Sequence, residues 1–183
     1  MATITDLLTA EDFFRIPSLD QPAELVRGSL VMMNMPGFRH GAVCGNVVYE
    51  LRRFLEGRPL GRVISNDAGV VTERGPDTVR GPDVAYYSFE RLPAQATPVG
   101  YPNVAPEIVF EVLSPSDRWA ATLGKAGEYL SAGTLAVCIV DPEAASLTLC
   151  RPAAAPLTLD ADPTLELPEL HSEFSVPIRS LLA

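Results

Sequence analysis

Apolar residues recur along this chain in two rhythms, and the switches between them mark its elements. From Gly37 to Glu56 the rhythm is helical: Val43, Val47, Leu51 and Leu55 fall at i, i+4, i+8 and i+12, and Gly57 supplies a stop. A second helix is predicted over Asp117–Ser131, with Ser116 as its cap, Trp119, Leu123 and Leu130 on its inner face, and Gly133 at its close. A short helix, Ala10–Arg15, is capped by Thr9 and stopped by Pro17. Ala23–Arg27 and Ser29–Asn34 flank Gly28 as a β-hairpin.

The middle of the chain reads as strands. Arg62–Asn66, Gly69–Thr72 and Asp83–Ser88 are short β-type runs separated by Gly, Pro and Asp turn signals. Arg91–Ala105, rich in Pro and Ala, is a loop. Glu107–Leu113 is continuously apolar apart from its carboxylates, Leu135–Val140 is another buried strand, and Ser146–Arg151 follows the turn Asp141-Pro142. Strand, long helix and strand in that order predict a right-handed βαβ crossover. The class is α/β: a central mixed sheet flanked by helices, with an N-terminal β-hairpin. No repeat or linker divides residues 1–183, so one domain is expected.

Composition narrows the picture. With 47% apolar residues the chain can fill a sizeable core. The opening MATITDLLTAEDFFRIP lacks a basic start followed by an apolar run, so it does not read as a signal peptide. No stretch approaches the about 18 apolar residues of a membrane span. A cytoplasmic protein that enters no membrane is expected. Cys44, Cys138 and Cys150 form no C-x-x-C pair, and all three read as structural residues. His171, in a C-terminal stretch that reads as loop, has no candidate partner. The net charge of −9 opposes partners gripped through phosphates, which normally meet a basic face. Arg52, Arg53, Arg58 and Arg62 cluster locally, either to line such a face or simply to solvate a helix.

Three signals carry candidate chemistry. Asp83, in Gly81-Pro82-Asp83, stands where a Pro-fixed turn enters a strand; a turn Asp is the plain alternative. Glu111 sits inside the apolar strand Ile108–Leu113, where an unpaired carboxylate costs several kcal/mol, so it needs either an arginine or a metal ion. The chain has thirteen arginines and one lysine, Lys125. A compact ammonium differs from a planar guanidinium, so a sole Lys on the helix after Glu111 hints at a chemical need. Together these suit metal-assisted phosphodiester hydrolysis: two carboxylates for a divalent cation and a lysine for developing charge.

With these residues in view, the chain resembles the PD-(D/E)XK nuclease superfamily, in particular a bacterial restriction-endonuclease-like subgroup. The landmarks are Ala10-Glu11-Asp12-Phe13, Ala23–Leu30, Arg39-His40, Gly81-Pro82-Asp83-Val84, Glu111–Arg118, Lys125 with Glu128–Gly133, and Val140-Asp141-Pro142. Glu111-Val112-Leu113-Ser114-Pro115-Ser116 is the most specific. Position 113 is Leu, so the lysine looks displaced onto the following helix, where Lys125 stands. The resemblance implies a restriction-endonuclease-like core, with Asp83 and Glu111 as metal ligands, Glu24 joining the metal shell and His40 nearby. It also implies Mg²⁺ or Mn²⁺ as cofactor, DNA as substrate, and commonly a homodimer; Arg52 and Arg53 are the candidate nucleic-acid contacts. A non-catalytic homodimeric scaffold on the same fold is the alternative, favoured by the acidic charge.

Overall fold

Six strands form one mixed sheet, and its order explains why the middle of the chain is so apolar. The computed structural model describes residues 7–183. Residues 1–6, on which the reading against a signal peptide partly rests, lie outside the described residues. The large sheet contains β3 (Gly61–Ser65), β6 (Val84–Ser88), β7 (Ile108–Val112), β8 (Ala136–Asp141), β9 (Ser146–Cys150) and β10 (Leu157–Asp160), ordered β10-β9-β8-β7-β6-β3. β7 and β8 run parallel, joined by the helix α3 (Trp119–Ser131), while the other neighbours are antiparallel. This is the expected strand–helix–strand unit.

Both faces of β7 and β8 are covered, as parallel strands require. Ile108, Phe110 and Val112, with Ala136, Cys138 and Val140, enter a core shared with Val43, Val47 and Leu51 of α2 (Phe38–Leu55). That core also takes Leu165, Phe174, Val176, Ile178 and Leu181 from the C-terminal segment. Val109, Val137 and Ile139 face the other way, against Ala126 and Tyr129 of α3. Side chains alternate along a strand, so Glu111 shares the Val109 face and lies under α3.

A smaller sheet, ordered β2-β1-β5-β4, contains the hairpin β1 (Ala23–Val26) and β2 (Ser29–Met32), then β5 (Thr78–Arg80) and β4 (Val70–Glu73). The turn between β1 and β2 uses positive φ at Arg27 and Gly28. The short α1 (Ala10–Phe14) keeps its Thr9 cap, closed into a capping box with Asp12.

The structure corrects three expectations and adds one strand. Ser116 does not cap α3: Asp117 turns its carboxylate back to accept from the Ser114 N–H at 2.7 Å, and the helix begins at Trp119 with no side-chain cap. Trp119 is not an inner residue but 45% exposed, because the opening turn borders a cleft, lined in part by Arg118, Ala121 and Thr122, rather than a strand. β5 escapes the sequence pattern because three residues between turns carry no period. The C-terminal segment around His171 is not loop throughout but forms β10, β11 (Thr164–Glu166), β12 (Ser175–Pro177) and α4 (Ile178–Leu182). No helix among the described residues is long and apolar enough to cross a membrane.

Candidate active site

The chain passes between its two larger sheets three times, and two of these passages meet at one place. β3 of the large sheet leads into β4 of the small one through Asn66 and Asp67, both at positive φ. β5 of the small sheet leads back into β6 through Gly81-Pro82-Asp83. At this seam Gly81 has no room to spare: a Cβ there would lie 3.0 Å from Asp67 Cβ and 3.1 Å from its carbonyl oxygen. The cleft above the seam, of about 360 Å³, is lined by Glu24, His40, Asp67, Asp83, Glu111 and Lys125, among others. Asp83 and Glu111, the two carboxylates expected to hold a divalent cation, both line it.

Each side chain reaches the cleft for a local reason. β6 pairs with β7 only as far as Val84 opposite Phe110. Beyond that point the Asp83 side chain replaces a strand carbonyl, and its Oδ2 accepts from the Val112 N–H at 2.6 Å. Its Oδ1 lies 3.2 Å from His40 Nε2, on the first turn of α2. Glu111 projects toward α3, where Lys125 and Tyr129 stand four residues apart on one face. Lys125 Nζ lies 3.0 Å from Glu111 Oε2, and the Tyr129 hydroxyl donates to Glu111 Oε1 at 2.9 Å. The partner of Glu111 is therefore the sole lysine and a tyrosine, not one of the arginines.

Glu24, on β1, is 5% exposed and holds the other side of Lys125, with Nζ 2.9 Å from its Oε1. The same carboxylate accepts from Arg80 Nη1 at 2.7 Å and from the Gly81 N–H at 3.0 Å. Arg80 then reaches Glu128 of α3, donating from Nε at 2.6 Å and from Nη2 at 2.8 Å. The small sheet thus fixes the angle at which α3 presents Lys125.

Charge in the cleft is unbalanced. The carboxylates that line it, Glu24, Asp67, Asp83, Glu111 and Asp117, outnumber the cations His40, Arg80, Arg118 and Lys125 by one. Burial raises the Glu111 carboxyl to about 7, and the charge on Asp83 adds to that rise, against the pull of Lys125. Burial and Asp83 also raise Asp67. Glu24 is lowered: burial works upward, but Lys125, the Gly81 amide and Arg80 outweigh it. Hydrogen bonds to Asp83 and Cys44 raise His40 to about 10. Burial opposes the charge on Lys125, but Glu111 and Glu24 keep it protonated. Buried carboxylates with hard oxygen donors are what a divalent cation would need.

Cys44 differs from the other two cysteines. Cys138 and Cys150 are buried, but Cys44 is half-buried, one helical turn after His40, with its Sγ 3.5 Å from His40 Nδ1. Arg52 and Arg53 are not brought to the cleft. They follow His40 by twelve and thirteen residues along α2, about 18 Å at 1.5 Å per residue, and border a separate groove with Tyr49 and Arg62. Arg53 pairs with Glu50 at 2.6 Å, and Arg62 is spent on the carbonyls of Pro93, Ala94 and Ala96. Sequence reasoning missed Asp67, Arg80, Tyr129 and Glu128. Spacing from Lys125 could have found the last two, whereas nothing local marks Asp67.

A crystallised protein from Anabaena variabilis ATCC 29413, described as "a putative nuclease belonging to DUF820", has the same fold. It superposes with a TM-score of 0.83 at 20% identity, over 96% of this chain and 97% of that one. No curated protein sequence matches the chain. The Uma2 family model, described as "Putative restriction endonuclease", matches residues 10–179, so it takes in both sheets and every residue of the cleft, and the chain belongs to the Uma2 family.

Proposed function

We propose that the protein is a Mg²⁺- or Mn²⁺-dependent endonuclease that hydrolyses DNA phosphodiester bonds at the seam between its two larger sheets. The observation that carries this reading is the Glu24–Lys125–Glu111 bridge, a protonated lysine held between two buried carboxylates beside Asp83. Asp83 and Glu111 would hold the metal ion. Glu24 has about four lone-pair sites, and three are already engaged, so at most one remains for the ion. Its larger part is to aim Lys125.

A divalent ion supplies Lewis-acid polarisation of the phosphate and a more acidic bound water. The chain's own residues do the rest. The three ammonium hydrogens of Lys125 meet Glu24, Glu111 and the Gly81 carbonyl. Once Glu111 has another positive partner, Lys125 can redirect one hydrogen bond to charge developing on phosphate oxygens. Tyr129 keeps the far oxygen of Glu111 occupied, and His40 fixes the rotamer of Asp83.

The test is relaxation of supercoiled plasmid. Wild type should nick it with Mg²⁺ or Mn²⁺ but not with chelator, and Asp83→Asn should not. Equal nicking by both proteins would refute the reading.

The pH dependence has a definite sign. Because the fold raises the Glu111 carboxyl, its contribution to stability is complete below the unfolded value of 4.5 and is lost as pH climbs through about 7. Mn²⁺ should reverse that loss, so the metal-induced rise in Tm grows as pH passes upward through about 7. A rise that ignores pH would remove Glu111 from the metal site.

A homodimer belongs to the same proposal. Val31, Met32, Met35 and Phe38 are exposed beside the cleft, Phe38 at 94%, and among the described residues β2 is an edge strand of the small sheet. An apolar edge of this kind suits a second copy of the chain.

A further inference from the structure

Asp83, a proposed ligand of the hydrolytic metal, also stands beside a pair of side chains with softer donor atoms. His40 and Cys44 stand one turn apart on α2, so both point the same way. Cys44 Sγ lies 3.5 Å from His40 Nδ1, and His40 Nε2 lies 3.2 Å from Asp83 Oδ1. A ring nitrogen, the sulfur and one Asp83 oxygen all fall within 4.8 Å of one another. Oxygen and nitrogen at about 2.0 Å and sulfur at about 2.3 Å from a tetrahedral ion would be separated by about 3.3 Å and about 3.5 Å. The two observed contacts are already of that length. An imidazole gives only one nitrogen to a given ion, so the ring or the Cys44 rotamer must turn to bring the same nitrogen to both partners.

We propose that His40, Cys44 and Asp83 form a site for a thiophilic divalent cation of the Zn²⁺ class, whose binding withdraws Asp83 from the hydrolytic site and silences it. The regulatory half of this inference rests on the reading of Asp83 as a ligand of the hydrolytic metal. A thiolate and an imidazole favour Zn²⁺ over Mg²⁺ or Mn²⁺, which prefer all-oxygen donors such as the carboxylates proposed for the hydrolytic site. Three protein ligands leave a fourth position for water. Binding releases the thiol proton of Cys44 and the proton shared by His40 and Asp83 to solvent. A single carboxylate thus stands between two metal sites of opposite preference, and only one can hold it.

Cobalt(II) serves as the probe, because a thiolate ligand gives it a charge-transfer band in the near ultraviolet. Full-length protein titrated with Co²⁺ should develop that band with the intense visible absorption of a tetrahedral ion, and one equivalent of Zn²⁺ should erase both. Cys44→Ser should lose the charge-transfer band and bind Zn²⁺ at least about tenfold more weakly. Its rise in Tm with Mn²⁺ should match wild type, which also shows that the variant is folded. A wild-type protein without the band, or a band that survives in Cys44→Ser, would overturn the site. If the hydrolytic reading alone is wrong, the band still appears, Cys44→Ser still abolishes it, and plasmid nicking is absent throughout. If Zn²⁺ suppresses nicking equally in wild type and Cys44→Ser, the regulatory half is overturned.

Discussion

Lys125→Ala is expected to lower turnover on the order of 10²–10³-fold while leaving Mn²⁺ affinity nearly intact. The split follows from where each group does its work. Asp83 and Glu111 would bind metal in the ground state, whereas Lys125 would meet charge that appears only as the phosphate reacts. Lys125→Arg is the sharper variant. The ammonium sits 2.9 Å from Glu24 Oε1, 3.0 Å from Glu111 Oε2 and 3.2 Å from the Gly81 carbonyl, three acceptors converging on one nitrogen. A planar guanidinium cannot place one nitrogen at that focus, so Arg should restore little activity although it restores the charge. Steady-state kinetics on plasmid or oligonucleotide DNA, with calorimetry of Mn²⁺ binding, separate the two effects. Full activity in Lys125→Arg would dismiss the shape argument, and full activity in Lys125→Ala would remove the lysine from the mechanism.

The second large effect is on metal binding. Asp83→Asn and Glu111→Gln should each weaken Mn²⁺ by on the order of 100-fold or more, since losing even an outer partner of a ligand costs about 10–100-fold. These amides are chosen to keep the fold. In Asp83→Asn the amide oxygen can still accept from the Val112 N–H, and in Glu111→Gln it can still accept from the Tyr129 hydroxyl. Glu24→Gln should behave differently, with a modest change in metal affinity and a larger loss of turnover, because it loosens the hold on Lys125. Calorimetric titration of the three proteins distinguishes the cases. Wild-type Mn²⁺ affinity in both Asp83→Asn and Glu111→Gln would end the metal argument.

Much of this architecture is legible in the sequence, for physical reasons that differ by element. α2 announces itself through Val43, Val47 and Leu51, because a long helix over a sheet must repeat its buried stripe. β7 and β8 show as unbroken apolar runs because both their faces are covered. The cluster of Asp83, Glu111 and Lys125 could be anticipated because a carboxylate in an apolar strand demands a cation. What stayed hidden depends on contacts distant along the chain. Asp67 reaches the cleft only because two passages between sheets coincide, and a turn aspartate carries no mark of that. Arg80 pairs with Glu24 and Glu128 across 56 and 48 residues. Cys44 reads as inert in the sequence because free cysteines usually are; its four-residue spacing from His40 acquires meaning only once Asp83 is seen opposite.

One contact bears on how such a protein can change over generations. The Asp83 carboxylate finishes the β6–β7 ladder by receiving the Val112 N–H where the backbone pairing ends. A lineage that abandoned chemistry would still need an acceptor at that position to keep its central strand zipped, so drift there would be held to Asp or Asn. Lys125 seals no backbone ladder, and a compact apolar substitute together with a neutral residue at Glu111 and Glu24 would leave the sheets intact. Decay would therefore enter through the lysine, and the aspartate would outlast the activity it once served.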